Sequence, residues 1–235
     1  MSVDVVIPAL NEEQSIGLVL EDIPLERVRR VVVADNGSTD RTAAIARDHG
    51  AIVVAAMRRG YGSACLAALD YIRDTGPPDV VVFLDGDYSD FPEEMIDLLR
   101  PVERDGFDLV IGSRIRGGAE TGALLPQARF GNMLACFLIR VLYGVQFTDL
   151  GPFRAIRWSA LESLHMADPD FGWTVEMQIK AAKAGLRCTE IPVRYRKRVG
   201  VSKITGTVRG TVLAGHKILW TIAKQYLVSE EEGRR

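Results

Sequence analysis

The chain has 235 residues and a formal net charge of −2, with 47% hydrophobic and 26% charged residues. That is length enough for one well-filled core, and too little positive charge for a nucleic-acid binder that works by bulk electrostatics. The three cysteines, Cys65, Cys136 and Cys188, are odd in number and far apart. They form neither a disulfide framework nor a metal spacing, so core filling and a reducing cytoplasm are expected. The N-terminus lacks the basic and cleavage regions of a leader, and no apolar run reaches the roughly 20 residues of a spanning helix. The expectation is a protein that is soluble or peripheral to a membrane.

The first half alternates between strands and helices. Residues 3–8 read as a strand, and 11–20 as a helix with Asn11 as its cap and Glu12 and Glu13 at its positive end. Residues 28–34 form a strand, and a helix capped by Thr39 or Asp40 runs to about His49, stopped by Gly50. Residues 51–56 are a strand, and Gly60-Tyr61-Gly62-Ser63 leads into a helix to Arg73. Residues 80–84 are a strand, a helix starts at Phe91-Pro92, and 108–112 are a strand. Continuous apolar strands separated by helices mean an α/β fold with a mostly parallel sheet covered on both faces.

The second half is less regular. Residues 116–127 read as a glycine-rich loop, 130–143 as an apolar helix, and 161–165 as helical. Residues 174–184 form a helix ended by Gly185, 187–195 a strand, 207–227 a long helix and 229–235 a polar tail. Residues 132–145 and 207–227 are amphipathic, with Arg140, Arg209, His216, Lys217 and Lys224 interspersed. Such helices lie in a membrane interface, pack in a core, or form the seam of a homodimer, and the pattern leaves all three open.

Chemistry concentrates at strand ends. Asp85-Gly86-Asp87 ends the run Val80-Val81-Val82-Phe83-Leu84, and Asp35-Asn36-Gly37-Ser38-Thr39-Asp40 ends Val31-Val32-Val33-Ala34. In open α/β sheets, ligands bind beyond the carboxyl ends of strands. Two carboxylates one residue apart suit a hard cation such as Mg²⁺ or Mn²⁺ shared with phosphate oxygens. That arrangement clamps a diphosphate and neutralises a departing nucleoside diphosphate. Gly86 lets the backbone approach the ligand. Gly60-Tyr61-Gly62 is not a P-loop, because no Gly-Lys-Ser/Thr follows.

These pieces, with Val6-Ile7-Pro8-Ala9-Leu10-Asn11-Glu12, Gly112-Ser113-Arg114, Phe153-Arg154 and Gly200-Val201-Ser202-Lys203, stand in an order that resembles family-2 glycosyltransferases of the GT-A fold. The branch most similar by inspection contains the dolichol-phosphate mannose synthases and related polyprenyl-phosphate sugar transferases, over roughly residues 3–204. The resemblance implies one GT-A domain over residues 1–228. Its parts are a nucleotide-sugar half (1–115), an acceptor half (116–204) and a C-terminal helix (205–228).

It further implies a nucleotide pocket lined by Pro8, Leu10, Glu12 and Gly60, with Asp35 accepting from the base edge. Leu10 stands where a tyrosine is frequent. Asp85 and Asp87 are the implied metal ligands. The glutamine that joins them in related enzymes is here Ser89, followed by Asp90, so Ser89, a water or Asp90 completes the shell. Arg114 is implied at the donor diphosphate, and Arg198 and Lys203 at phosphate groups, with Arg129 a third candidate. Asp149 opens a segment resembling Asp-x-x-x-Gly-Phe-Arg, one residue short and with Pro152 for the glycine.

Glu176 matches a position that often carries a functional acid, so it is either a general base or a structural partner of an arginine. Trp173 is either a sugar contact or a core residue. The implied reaction is inverting transfer of a hexose from a UDP- or GDP-sugar. A polyprenyl phosphate acceptor needs no base, whereas a hydroxyl acceptor would use Glu176 or Asp149. A sugar nucleotidyltransferase and a non-catalytic nucleotide-sugar-binding module are the rival readings.

Overall fold

Every strand of the first half delivers its carboxyl end to one edge of a single sheet. The computed structural model of the chain describes the backbone of residues 1–200 and 208–233, and the side chains of 1–200 and 215–227. The opening β1 (Val3–Ala9), α1 (Ile16–Glu21), β2 (Arg30–Asp35), α2 (Thr42–Asp48), β3 (Ile52–Ala55), α3 (Tyr61–Asp74) and β4 (Val80–Phe83) follow the predicted alternation. Then come α4 (Met95–Arg104), β5 (Leu109–Ser113), a short α5 (Arg114–Gly117) and α6 (Pro126–Tyr143). The chain continues through β6 (Arg154–Arg157), α7 (Trp158–Ser163), α8 (Trp173–Lys183), β7 (Cys188–Pro192) and α9 (Val208–Gly233). The strands form a seven-stranded sheet in the order β3-β2-β1-β4-β6-β5-β7. All neighbours are parallel except β6, which runs antiparallel to both β4 and β5.

Alternate strand residues feed two cores. Val6, Val32, Phe83 and Ile111 face one side, where Trp173 meets Phe83 edge-on at 6.2 Å between ring centroids. Val5, Ile7, Val33 and Val82 face the other, with Leu98 and Leu99 of α4. Trp173 is buried, so of its two expected roles the core role fits.

Helix α7 lies at Trp158–Ser163 rather than 161–165, β7 ends at Pro192 rather than 195 and α5 enters the expected loop, and three further departures from the sequence reading are larger. Helix α1 starts at Ile16 and not at residue 11. Asn11 takes a left-handed φ of 54° and spends its side chain on the next loop, accepting from the backbone N–H of Thr39 at 2.8 Å. Helix α6 begins at Pro126, inside the expected loop, because proline suits a first helical turn. Strand β6 was not expected at all: Arg154 and Arg157 at its two ends disguise the alternation, yet Arg154 is only 1% exposed. Its guanidinium donates to the carbonyls of Gly151, Leu150 and Thr174. Burial draws its pKa down to about 10. Among the described residues, no helix is long and apolar enough to cross a membrane.

Candidate active site

The loops after β1 and β2 are tied to each other before any ligand arrives. The Asn11 N–H donates to Ser38 Oγ at 2.9 Å and the Glu12 N–H to Thr42 Oγ1 at 2.7 Å. Asp40 accepts from the Thr42 N–H at 2.9 Å in the turn before α2, whose N-cap position is Arg41 rather than the expected Thr39 or Asp40. Asp35 accepts from the Ser38 N–H at 3.1 Å, closing its own turn. Its neighbour Asn36 faces the cleft, accepting from the Gly60 N–H at 2.7 Å and donating to the Arg58 carbonyl at 2.8 Å.

These loops and the end of β4 enclose a cleft of about 350 Å³. Pro8, Leu10, Glu12, Gly60, Asp85, Gly86, Asp87 and Arg198 all line it, which brings together eight of the residues singled out from sequence. Asn36, Arg59, Tyr61, Asp170 and Phe171 line it as well and were not singled out as site residues. Asn36 and Tyr61 had a signal, since each sits inside a motif that was noticed. Asp170 and Phe171 had none.

One end of the cleft is an acidic pole. Asp85 Oδ1 is buried without a hydrogen-bond partner, as is Asp90 Oδ1 behind it. Burial, with repulsion from Asp87, holds the Asp85 carboxyl well above the usual carboxylate range, and burial does the same to Asp90. Asp87 accepts from the Ser89 N–H at 3.0 Å and from the Ser89 hydroxyl at 2.5 Å, leaving Oδ2 toward Arg198. An oxygen-only donor set with an orphaned buried oxygen fits a hard divalent cation. Among the described residues, no cluster of three or more His, Cys, Asp or Glu side chains is placed to hold a metal. A cation at Asp85 and Asp87 would therefore draw further oxygens from its ligand.

Arg114 and Asp149 lie beside this pole as a closed pair. Arg114 Nε and Nη2 reach Asp149 Oδ2 and Oδ1 at 2.8 and 2.7 Å, and the Arg114 N–H adds a third bond at 2.8 Å. Burial opposes the charge on Arg114, but Asp149 outweighs it and holds the guanidinium above its ordinary pKa. Glu190, which no motif marked, accepts from the backbone N–H groups of Thr148 and Asp149 and so fixes the turn that aims Asp149. Arg114, Asp149 and Asp85 line a second pocket of about 270 Å³ beneath α6 and α9, which shares Tyr61, Asp85 and Phe171 with the cleft. Its walls are largely apolar, from Leu124, Leu150, Pro152 and Ile218. Arg129 lines it too and makes no side-chain hydrogen bond or ion pair among the described residues.

Glu176 lies outside both spaces. Its carboxylate accepts from the N–H groups of Ala167 and Asp168, the latter at 2.8 Å, and pairs with Lys180 at 2.8 Å. Of its two expected roles the geometry fits the structural one, with a lysine where an arginine was anticipated. What it holds is the loop carrying Asp170 and Phe171 to the cleft. The other side of that loop sits on the glycine motif: a Cβ on Gly62 would meet the Asp168 carbonyl oxygen at 1.9 Å, and one on Gly60 the Pro169 oxygen at 2.2 Å. The glycines thus permit close backbone approach as well as lining the cleft. The basic run folds back on the chain. Arg194 pairs with Glu93 and Glu94, and Arg196 lies over the rings of Tyr88 and Phe91. Lys203 lies outside the described residues.

Residues 4–164 match the family model described as glycosyl transferase family 2. The chain is 38% identical over 217 residues to an uncharacterized glycosyltransferase of Mycobacterium tuberculosis, covering 91% of this chain and 94% of that one. It is 36% identical over 214 residues to a dolichyl-phosphate hexose transferase of Haloferax volcanii, covering 89% of each. Among solved structures it is similar to glucosyl-3-phosphoglycerate synthase from Mycobacterium tuberculosis in complex with Mn²⁺, UDP-glucose and phosphoglyceric acid. The TM-score is 0.77 at 26% identity, covering 96% of this chain and 79% of that one.

Proposed function

The chain belongs to glycosyl transferase family 2, and from that footing we propose that it moves a hexose from a nucleotide-diphospho-sugar to the phosphate of a polyprenyl lipid, with inversion and with Mg²⁺ or Mn²⁺ bound. Its sheet is the GT-A architecture the sequence implied, and its relatives are glycosyltransferases. In this reading residues 1–115 hold the donor, 116–204 and α9 the acceptor. Pro8, Leu10, Glu12 and Gly60 line the nucleotide site, with Asp35 and Asn36 at the end of β2 beside the base.

Asp85 and Asp87 would hold the cation. It would supply charge neutralisation for the departing diphosphate. Asp149 locks Arg114 as a fixed cation in the second pocket, which shares Asp85 with the cleft, so no reorganisation is needed as negative charge develops on the leaving group. Phe171, held in place through Glu176, closes part of both pockets and keeps water from the reacting centre.

The observation that carries the acceptor assignment is that both carboxylates expected as bases are engaged. Asp149 is taken by Arg114, and Glu176 by Lys180 and two backbone N–H groups. A phosphate acceptor is already anionic and needs neither. Arg129 stands ready for such a phosphate, since a guanidinium fork matches its oxygens. The lipid part rests on α6, whose Phe130, Met133, Phe137 and Val141 form one exposed stripe, each about 60% accessible. Arg129 and Arg140 edge the stripe, so it fits an anionic lipid surface, and Arg129 links it directly to the second pocket.

A hydroxyl on a soluble acceptor is the second reading. Asp170 favours it, as a cleft carboxylate whose cation contacts, Arg58 and Lys217, are both at 4.0 Å. The test is a donor screen by nucleoside-diphosphate release, with and without Mn²⁺ and with and without polyprenyl phosphate. Metal-dependent release that rises with the lipid supports the proposal. Metal-dependent release indifferent to lipid moves the acceptor to the soluble class. Consumption of a sugar 1-phosphate would point to a nucleotidyltransferase.

A further inference from the structure

Arg198 does something that a phosphate-binding residue need not do. Its Nη1 lies 3.2 Å from Asp87 Oδ2 and its Nη2 3.1 Å from Glu12 Oε1, while its Nε is buried with no partner. The guanidinium therefore sits in the acidic pole itself, bridging the loop after β1 and the loop after β4. It is brought there from far along the chain. The Val199 N–H donates to the Asp87 carbonyl at 3.0 Å and the Arg196 N–H to the Ser89 carbonyl at 2.9 Å. Arg196 is stacked on Tyr88 at 3.4 Å and bonded to the carbonyls of Tyr88 and Asp90. The backbone is pinned on both sides of Arg198, and the side chain alone is free to choose its partner.

We propose that Arg198 is a built-in counter-ion. It holds Asp87 when the cleft is empty, competes with a divalent cation for that carboxylate, and turns to the donor diphosphate once the cation displaces it. This rests on the donor-site reading above and deepens it. The physical need is plain: Glu12, Asp85 and Asp87 line one end of the cleft with buried Asp90 behind them, and a cation among such closely set carboxylates offsets their mutual repulsion. A guanidinium freed from Asp87 keeps its charge, because an arginine does not deprotonate, and phosphate oxygens are its natural next acceptors. The orphaned Nε supports the exchange, since a buried donor without a partner gains a hydrogen bond when the side chain moves. The consequence is ordered binding: the bare protein takes the cation poorly, and cation and nucleoside diphosphate each favour the other.

The test is calorimetric titration of Mn²⁺ into the purified protein, alone and then with saturating UDP or GDP, for the unaltered chain, Arg198→Met and Arg198→Lys. Without nucleotide, Arg198→Met is expected to bind Mn²⁺ roughly tenfold more tightly than the unaltered chain, because no resident cation has to leave. With Mn²⁺ saturating, the same variant is expected to bind the nucleoside diphosphate roughly tenfold more weakly or worse, having lost a charge-assisted hydrogen bond. Arg198→Lys should fall between the two on both measures, which a loss of folding would not produce. Unchanged or weaker Mn²⁺ binding by Arg198→Met, with nucleotide binding intact, overturns this inference alone. Absence of Mn²⁺ binding in all three proteins, with and without nucleotide, overturns it together with the donor-site reading.

Discussion

The two sides of the cleft are built differently. On the side of β1, β2 and β4, the lining residues follow directly from strand ends, and their loops are cross-bonded through Asn11, Ser38, Thr39 and Thr42. On the side of α6 and α8, nothing arrives so directly. Asp149 is aimed by Glu190, Arg114 is held by Asp149, and Phe171 rides on a loop pinned by Glu176 and by the glycines of α3. Sheet topology sets the first side; a relay of polar contacts sets the second. A change on the first side should therefore be all-or-none, and a change on the second graded.

Asp87→Ala is the sharpest attempt to break the first side. Metal-dependent turnover should fall roughly thousandfold or more, a loss of about 4 kcal/mol of transition-state stabilisation. The fold should persist by circular dichroism, since among the described residues the Asp87 side chain is held only by Ser89 and Arg198. Near-normal turnover in a folded variant would sink the metal assignment.

Gly62→Ala tests the seam between the sides. Its new Cβ would lie 1.9 Å from the Asp168 oxygen, so the loop with Asp170 and Phe171 must shift. Donor KM should rise roughly 10- to 100-fold, and urea unfolding should show a loss of about 1–3 kcal/mol. Unchanged kinetics would mean that loop is not part of the working site.

Glu176→Gln separates positioning from chemistry on the second side. It removes the charge facing Lys180 while keeping an acceptor for the loop. We expect KM to rise about 3- to 10-fold with kcat within about twofold of the unaltered enzyme. A kcat loss of about a hundredfold, with a pH profile losing its basic-group limb, would instead make Glu176 the base.

Phe137→Asp should be the mildest. The side chain is 60% exposed, so stability should change by less than about 0.5 kcal/mol. Co-sedimentation with anionic vesicles should drop several-fold, while nucleoside-diphosphate release without lipid stays the same. A loss of self-association in place of vesicle binding would assign the α6 stripe to a second copy of the chain.

Much of the donor side is legible in the amino-acid sequence. Pro8, Glu12, Gly60, Asp85 and Asp87 are marked by motifs at strand ends, and they do meet in one cleft. Asp35 is marked as well, but its carboxylate turns to Ser38 and its neighbour Asn36 faces the cleft, a choice set by one turn's hydrogen bonding. Arg198 is marked for phosphate, and its guanidinium lies against Asp87 and Glu12. Glu176 is marked for its type, yet it is bonded to Ala167, Asp168 and Lys180 and lines neither the cleft nor the second pocket. Phe171 carries no signal, because a lone aromatic after an aspartate says nothing about which loop it will close.

What this sequence determined alone is the alternation of buried strands with helices, and with it the edge where acidic loops collect. Apolar runs and turn residues act over a few neighbouring residues, so they can be read in order. The tertiary structure decided the rest: β6 enters antiparallel between β4 and β5, and Arg198 reaches back to Asp87 and Glu12. Those outcomes depend on which partners the whole chain brings within hydrogen-bonding distance, and a buried charge settles wherever that larger packing offers an opposite one.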